Sequence, residues 1–456
     1  MRLPAWVAEV DLDGERAGLR LVSGETDCEI HRFGRGAASV ALFEGYLYER
    51  RALERELAGA GEPPSTAALL ASAYERWGAG LFDRLDGSFA ALVWDAESRR
   101  LIAGHDAFGH HPLFYRSSPR RDSLWLATNV LALAHCGRFR VAPHRLNLAL
   151  NLRLARPTPG ETYFEGIERL APGHRLEAEG GAEPRRIRHW NPVPEPGEED
   201  LAPKVVLAEL EDRLMESVER SMELGPDGVM LSGGLDSVCI AALAADYTRA
   251  HELPPLIAYS ARHHPDDPPT YEEEMQDLVA ARLGMPQCLS NERDWLGSRP
   301  LIEASLDEVR RFPCPSTIFW KGGYMGFARW AAARGDHRFL TGSGGDEWLT
   351  VDPRYAADLL RRGALFRLAS FVRADYSGTG TRLSRVLEYL LWTWGARLLL
   401  GDVLRRLCPG PLHRRLERRV RAEIGDECTD EQLRRRMVEV GLERRIRALG
   451  LRRRGG

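Results

Sequence analysis

Two short strings in this sequence carry residue types that could do phosphate chemistry. The first is Val229-Met230-Leu231-Ser232-Gly233-Gly234-Leu235-Asp236-Ser237. Its apolar start reads as a buried strand, its glycine pair as a tight turn, and Val238 to Leu243 as a helix. Strand, turn and helix start together gather backbone N–H groups and a positive helix end at one point, an anion site suited to phosphate or pyrophosphate. Ser232 and Ser237 can add hydroxyl donors, and Asp236 is a hard oxygen ligand suited to Mg2+. An ordinary strand-to-helix turn would account for Gly233-Gly234 but not for the whole string, which also lacks the Gly-Lys-Ser/Thr ending of a Walker P-loop. The second string, Thr341-Gly342-Ser343-Gly344-Gly345-Asp346-Glu347-Trp348-Leu349, repeats the device after the strand Arg338-Phe339-Leu340. Two such turns at strand ends of one sheet can set Asp236 and Asp346 on opposite sides of a phosphate–Mg2+ complex.

The elements that must position these residues begin near Leu201. A helix over Lys204 to Glu223 precedes the first turn, a helix to Arg249 follows it, and Leu256 to Ala261 reads as a second strand. A helix over Tyr271 to Leu283, a longer helical region and the strand at Phe339 complete the alternation. That texture predicts a doubly wound parallel sheet, whose ligands sit at the carboxyl ends of its strands. Residues 1 to about 140 differ: strands such as Ala38 to Phe43 are broken by helical spacing over Arg51 to Ala58 and Ser65 to Trp77. A hairpin is predicted from Gly87–Asp95 and Arg100–Asp106. The Pro/Glu-rich stretch Asn191 to Asp200 reads as a linker, giving domains 1–195 and 196–456.

Composition narrows the class. A chain of 456 residues with 44% hydrophobic and 28% charged residues has ample core for two or three domains. A net charge of −3 argues against a nucleic-acid-binding surface. The seven cysteines contain no Cys-x-x-Cys pair and read as reduced thiols of a cytoplasmic protein without a cysteine zinc site. The N-terminus has no signal-peptide apolar region, and the run Val386 to Leu404 is interrupted by Glu388, Arg397 and Asp402, so no membrane span is expected.

The glycine turn resembles the pyrophosphate loop of the N-type ATP pyrophosphatases. The N-terminal strings Leu85-Asp86-Gly87-Ser88-Phe89-Ala90, Asp106-Ala107-Phe108-Gly109 and Pro112-Leu113-Phe114-Tyr115 resemble the glutaminase domain of asparagine synthetases, as do Pro157 to Ile167 and Leu170 to His174. The implied fold class is α/β: an N-terminal degenerate Ntn-type αββα sandwich, then a doubly wound parallel-sheet synthetase domain of the adenine-nucleotide α-hydrolase type. The glutamine chemistry is expected to be gone. The family's nucleophile is a cysteine at the mature N-terminus, where this chain has Arg2. Its Asn-Gly-Glu segment appears as Glu44-Gly45-Tyr46, and its Ser-Asp-x-Glu segment as Ser65-Thr66-Ala67-Ala68.

The resemblance also implies the reaction and the site. ATP would contact Leu231, Ser232, Gly233, Gly234, Leu235 and Ser237 of the first turn, Tyr259 and Ala261 of the adenine-lining strand, and Thr341, Gly342 and Gly344 of the second. Asp236 and Asp346 would hold Mg2+ and, with Ser343, form the catalytic set. A carboxylate attacks the α-phosphorus, pyrophosphate leaves, and an amine converts the acyl-adenylate to an amide, so positioning and charge stabilisation suffice. Asparagine synthetases carry Glu at the Ser343 position and β-lactam synthetases carry Tyr. Ser343 and the lost glutamine chemistry resemble the third branch, the lasso-peptide cyclases, or macrolactam synthetases. That resemblance implies a precursor peptide and leader-processing proteins as partners, with a homodimer as an allowed assembly. One departure stands out. The family's C-terminal Lys, which contacts the α-phosphate, has no counterpart, because the only lysines are Lys204 and Lys321; the two expectations are that an arginine among Arg434-Arg435-Arg436 or Arg444-Arg445 replaces it, or that the chain stops short of the family's closing segment.

Overall fold

The computed structural model describes residues 6–13, 17–23, 28–48, 50–57, 65–151, 160–180, 182–192, 203–262, 268–311, 320–349 and 355–379. The C-terminal arginines, Arg2 and the Val386 to Leu404 run lie outside these. The chain divides into two compact units, Met1–Thr341 and Gly342–Gly456.

The first unit opens with eleven strands: β1 (Val7–Asp11), β2 (Gly18–Ser23), β3 (Glu29–Phe33), β4 (Ser39–Leu47), β5 (Gly87–Asp95), β6 (Arg100–His105), β7 (Phe114–Ser117), β8 (Ser123–Ala127), β9 (Glu168–Arg169), β10 (His174–Glu179) and β11 (Arg185–Arg188). They form two antiparallel sheets, in the orders β2-β1-β8-β7-β9 and β11-β10-β6-β5-β4-β3. Helices α1 (Arg50–Leu57) and α2 (Thr66–Trp77) lie on the second sheet, while α3 (Val130–Ala134) lies on the first and is followed by α4 (Arg145–Asn151). Strand β5 shows why this is a sandwich with covered faces. Its Ala90, Leu92 and Trp94 enter the core between the sheets, and its Phe89, Ala91 and Val93 enter the core beneath α2. A strand buried on both sides reads as one apolar run, and each large side chain removed from water contributes about 1.5–3 kcal/mol.

The synthetase-like portion of this unit starts with α5 (Pro203–Met222). Strands β12 (Gly228–Met230), β13 (Ile257–Arg262), β14 (Gln287–Asn291) and β15 (Phe339–Leu340) then form a parallel sheet in the order β14-β13-β12-β15. Helices α6 (Leu235–Ala250) and α7 (Tyr271–Leu283) cover one face through Ala241, Val279 and Ala280, packed on Val229 and Ala258. Helices α8 (Glu292–Leu296), α9 (Leu301–Arg311) and α10 (Lys321–Ala332) follow, and Phe327 and Ala331 of α10 pack with Tyr259 on the opposite face. The chain steps outward from β12 to β14, then returns to the other side of β12. The order therefore reverses beside β12, which makes its carboxyl end a topological switch point.

The predicted parallel sheet is present, with one strand more than the pattern gave. Gln287-Cys288-Leu289-Ser290-Asn291 has too few apolar residues to announce a strand, because it is an edge strand and its side chains are only partly covered. In the second unit, α11 (Gly345–Leu349), α12 (Tyr355–Arg361) and α13 (Leu365–Thr379) are described, with Ala356, Leu359, Leu368 and Val372 forming a small core. No helix among the described residues is long and apolar enough to cross a membrane.

The approach of β15 to β12 is fixed at its start by Asp227, whose Oδ2 accepts the N–H groups of His337 (2.7 Å) and Arg338 (2.8 Å). Those two bonds hold the Asp227 carboxyl below the usual carboxylate range. A depressed folded value means stability that is present above the unfolded aspartate value of about 3.9 and is lost as pH falls through the folded one. Asp227→Asn should therefore lower the unfolding free energy at neutral pH by about 1 kcal/mol, the partly exposed site screening a charge-assisted pair. Urea midpoints should converge with the parent's as pH drops below about 4; a deficit independent of pH would show that charge is not the cause.

Candidate active site

The Ser232–Ser237 turn leaves the sheet one residue past β12. Leu231, 1% exposed, still donates its N–H to the Tyr259 carbonyl at 2.9 Å, so the ladder continues to the edge of the turn. Beyond it the backbone N–H of Ser232 has no strand partner and donates instead to Ser237 Oγ at 3.1 Å. Ser237 is buried; its hydroxyl donates to the Gly234 carbonyl (3.0 Å), which leaves the Ser232 hydroxyl to donate across 2.9 Å to Ser237 Oγ. Ser232 Oγ in turn accepts the Gly234 N–H at 3.3 Å. The two serines thus brace the turn internally, while Ser232 keeps an exposed side chain at its rim.

Glycine is required at one of the two positions for a specific reason. Gly233 has φ +83°, and a Cβ there would stand 2.4 Å from the Glu272 carbonyl oxygen at the start of α7. Gly234 has φ −76° and caps α6 without any side-chain bond, and a Cβ on it would meet only Ser232 Oγ at 3.4 Å. Among the described residues, the N–H groups of Gly233, Leu235 and Asp236 make no hydrogen bond. Free donors, the positive end of a 16-residue helix and the sheet's switch point therefore coincide. Asp236 sits half-exposed in the first turn of α6, and Leu235 is 78% exposed beside it.

Other predicted contacts divide by which face of β13 they occupy. Ala261 lies exposed at the strand's carboxyl end. Tyr259 does not present its ring there: it is 3% exposed, packs edge-on against Phe327, Trp330 and Phe339, and donates its hydroxyl to Asp336. Burial and then that carboxylate push its hydroxyl well above the ordinary tyrosine range. Any role for Tyr259 at the mouth belongs to its backbone. Thr341 follows β15 at the end of the first unit and is exposed. In the second unit, Gly342 accepts the Gly345 N–H at 3.2 Å, Gly344 has φ +100°, and Ser343 and Asp346 are exposed.

One residue that the sequence reading did not single out belongs to the first turn. Gln276 of α7, 3% exposed, donates through Nε2 to the Ser232 carbonyl (3.1 Å) and the Ala261 carbonyl (3.3 Å). The signal available was the capping box that starts α7: Thr270 Oγ1 accepts the Glu273 N–H, and the Glu273 carboxylate accepts the Thr270 N–H at 2.7 Å. That box fixes where α7 begins and so which of its residues faces the turn.

The segments standing in for the glutamine machinery have other employment. Ser65 caps α2 by accepting the Ala68 N–H at 3.2 Å, and Glu29 accepts both the Thr66 hydroxyl (3.0 Å) and the Ala67 N–H (3.1 Å). Glu44 accepts the Thr128 hydroxyl at 2.9 Å. Gly45, Tyr46 and Thr66 line an open cavity of about 1090 Å³, together with Glu219 and Arg220 of α5 and Glu223 just past its C-terminal end.

Residues 209–451, more than half of the chain, match the asparagine synthase family, and residues 35–190 match a glutamine amidotransferase domain. The chain belongs to the asparagine synthase family. It is 30% identical over 240 residues to asparagine synthetase [glutamine-hydrolyzing] 3 of Bacillus subtilis, covering 51% of this chain and 38% of that one. It is 24% identical over 333 residues to the amidase chyE of Penicillium rubens, covering 70% and 48%. The chain spans less than half the length of these two curated relatives. A solved glutamine aminotransferase class-II domain protein from Silicibacter pomeroyi covers 41% of this chain at 15% identity and a TM-score of 0.25, a value that carries no argument.

The two glycines of the turn should behave differently on substitution. Gly233→Ala places a Cβ against a backbone oxygen in a left-handed conformation, which costs about 1–2 kcal/mol in strain before the clash is relieved. Its thermal midpoint should fall clearly, whereas Gly234→Ala should unfold within about 2 °C of the parent. Equal midpoints for the two variants would contradict the geometry.

Proposed function

We propose that this protein is an ATP-dependent amide-forming ligase that adenylates a carboxylate, releases pyrophosphate and passes the acyl group to an amine. The observation that carries the reading is the turn at the carboxyl end of β12, where the free N–H groups of Gly233, Leu235 and Asp236 meet the α6 N-terminus. These donors suit phosphate oxygens, and their fixed orientation needs no rearrangement as charge develops on the leaving pyrophosphate. Asp236 at the same rim is the residue of the first unit that suits Mg2+. No cluster of three or more metal-ligating side chains occurs among the described residues, which fits an ion that arrives on the nucleotide and takes one or two protein carboxylates. When bound, the ion would offset triphosphate charge. The proposal takes Asp346 as the second carboxylate, and Thr341, Gly342, Ser343 and Gly344 as the second turn, from the repeated sequence device. It likewise treats residues 1–195 and 196–456 as the two working parts.

The reading extends to the substrate. The polar groups of Ser65, Glu29 and Glu44 serve capping and cross-strand bonds. Together with Glu44-Gly45-Tyr46 and Ser65-Thr66-Ala67-Ala68 in place of the family's Asn-Gly-Glu and Ser-Asp-x-Glu segments, this supports an amine that does not come from glutamine. A peptide whose own α-amine attacks its activated Asp or Glu side chain satisfies that condition, as in a lasso-peptide cyclase, with leader-processing proteins as partners. A second reading, asparagine formation from free aspartate, is favoured by the likeness to the Bacillus subtilis asparagine synthetase.

Isotope exchange between pyrophosphate and ATP separates these. The full chain should catalyse exchange that depends on an acidic peptide, and Asp236→Asn or Asp346→Asn should reduce it by at least about 100-fold, the usual scale for losing a charge-stabilising group. Exchange driven by aspartate alone would establish the second reading. Exchange unaffected by either substitution would overturn the assignment of the metal carboxylates.

A further inference from the structure

We infer that Gln276 is the positioning residue that holds the Ser232–Ser237 turn in its anion-binding form. The inference rests on the ATP reading above and adds a residue to it. Where β12 and β13 run out, the carbonyls of Ser232 and Ala261 lose their ladder partners, and both face a single side-chain amide. Gln276 Nε2 donates to Ser232 at 3.1 Å and to Ala261 at 3.3 Å, its two N–H bonds matching two acceptors. Two carbonyls converging on one atom also fix the amide orientation, since the oxygen could not face them. The side chain is 3% exposed, and its Oε1 is buried with no partner among the described residues, so the donor side of the amide is the one that is used.

The link to function runs through one peptide plane. In a trans peptide the carbonyl of one residue and the N–H of the next point in opposite directions. Among the described residues there are no cis peptide bonds. Drawing the Ser232 oxygen inward to Gln276 therefore turns the Gly233 N–H outward, and that N–H is one of the donors left free at the rim. The Gly233 α-carbon, seated against the Glu272 carbonyl, prevents the plane from sliding sideways. Without the amide, the Ser232–Gly233 peptide can flip and remove a donor while the hydrophobic packing of β12 stays intact. Tying Ala261 to the same nitrogen keeps the ends of β12 and β13 at one level, so the two strand ends act as one rim.

Two substitutions test this in the full chain. Gln276→Met keeps length and burial but has no donor; it should leave the thermal midpoint near the parent's and weaken ATP–Mg2+ binding about tenfold, the loss of roughly one hydrogen bond's worth of orientation. Gln276→Glu places a carboxyl before two carbonyl oxygens, which favours its protonated, donating form. Its ATP affinity relative to the parent should rise as pH is lowered from about 9 to about 6, while the Gln276→Met ratio stays flat across that range. That pH signature does not arise from a mere packing defect, and it carries the test should Gln276→Met fail to fold. A parent that binds ATP alongside variants that bind equally well, or a Gln276→Glu ratio without pH dependence, overturns the positioning role alone. A parent that does not bind ATP overturns the ATP reading and this role with it.

Discussion

The last ladder bond of β12, from the Leu231 N–H to the Tyr259 carbonyl, determines how high the turn stands above the sheet. One residue later the chain must satisfy its polar groups without a strand, and it does so in three ways. The Ser232 N–H goes to a buried serine, the Ser232 carbonyl goes to a buried glutamine, and the following N–H groups are left for a ligand. The first two arrangements make the third tolerable. A rim with free donors can be held only when everything behind it is paired and packed, because an exposed donor has water as an alternative and a buried one does not. The apolar cluster of Val229, Leu231, Ala241 and Ala258 supplies that backing.

Much of this was legible in the sequence because it is local. The glycine turn, the α6 helix and the β5–β6 hairpin each declare themselves within about ten residues, by apolar runs and turn residues. What was not legible is what depends on neighbours distant in the chain. Gln276 is an ordinary helix residue until α7 is laid across the ends of β12 and β13, 44 residues from Ser232 in sequence. Tyr259 shows the same dependence on distant neighbours. Its strand was read correctly, but a strand has two faces, and alternation put Ala258 toward α6 and Tyr259 into the aromatic cluster with Phe327 and Phe339. The polar edge strand β14 escaped because patterning reports burial, and an edge strand offers little of it.

The N-terminal sandwich shows where the stability of such a fold resides. Its stability comes from two apolar layers, one between the sheets around Trp6, Leu92, Trp94 and Leu126, the other under α2 around Phe43, Phe82 and Phe89. None of those residues belongs to the segments expected to handle glutamine. The string Asp106-Ala107-Phe108-Gly109, by contrast, has been kept, and its geometry explains why. The Asp106 carboxylate, 1% exposed, accepts the N–H groups of Phe108, His110 and His111 at 3.1 Å each and that of Phe89 at 3.4 Å. It staples the loop after β6 onto β5. Removing it would leave four backbone donors without that acceptor; the buried Phe89 N–H would cost about 1–3 kcal/mol, and those of the more exposed Phe108, His110 and His111 less, since water can reach them.

Retention and loss therefore follow different rules within one domain. Residues whose polar atoms close the fold on itself persist together with the fold, and Asp106 is of that kind. Residues whose polar atoms faced a substrate are free to change, provided the replacements find partners. Glu44 and Ser65 stand in the segments expected to handle glutamine, and both bond within the fold, to Thr128 and to the α2 N-terminus. At the β12 turn the balance is reversed: among the described residues three backbone donors have no protein partner, on a scaffold of serine, glutamine and glycine that constrains them from behind. The parallel-sheet rim thus has the form of a site kept for a ligand.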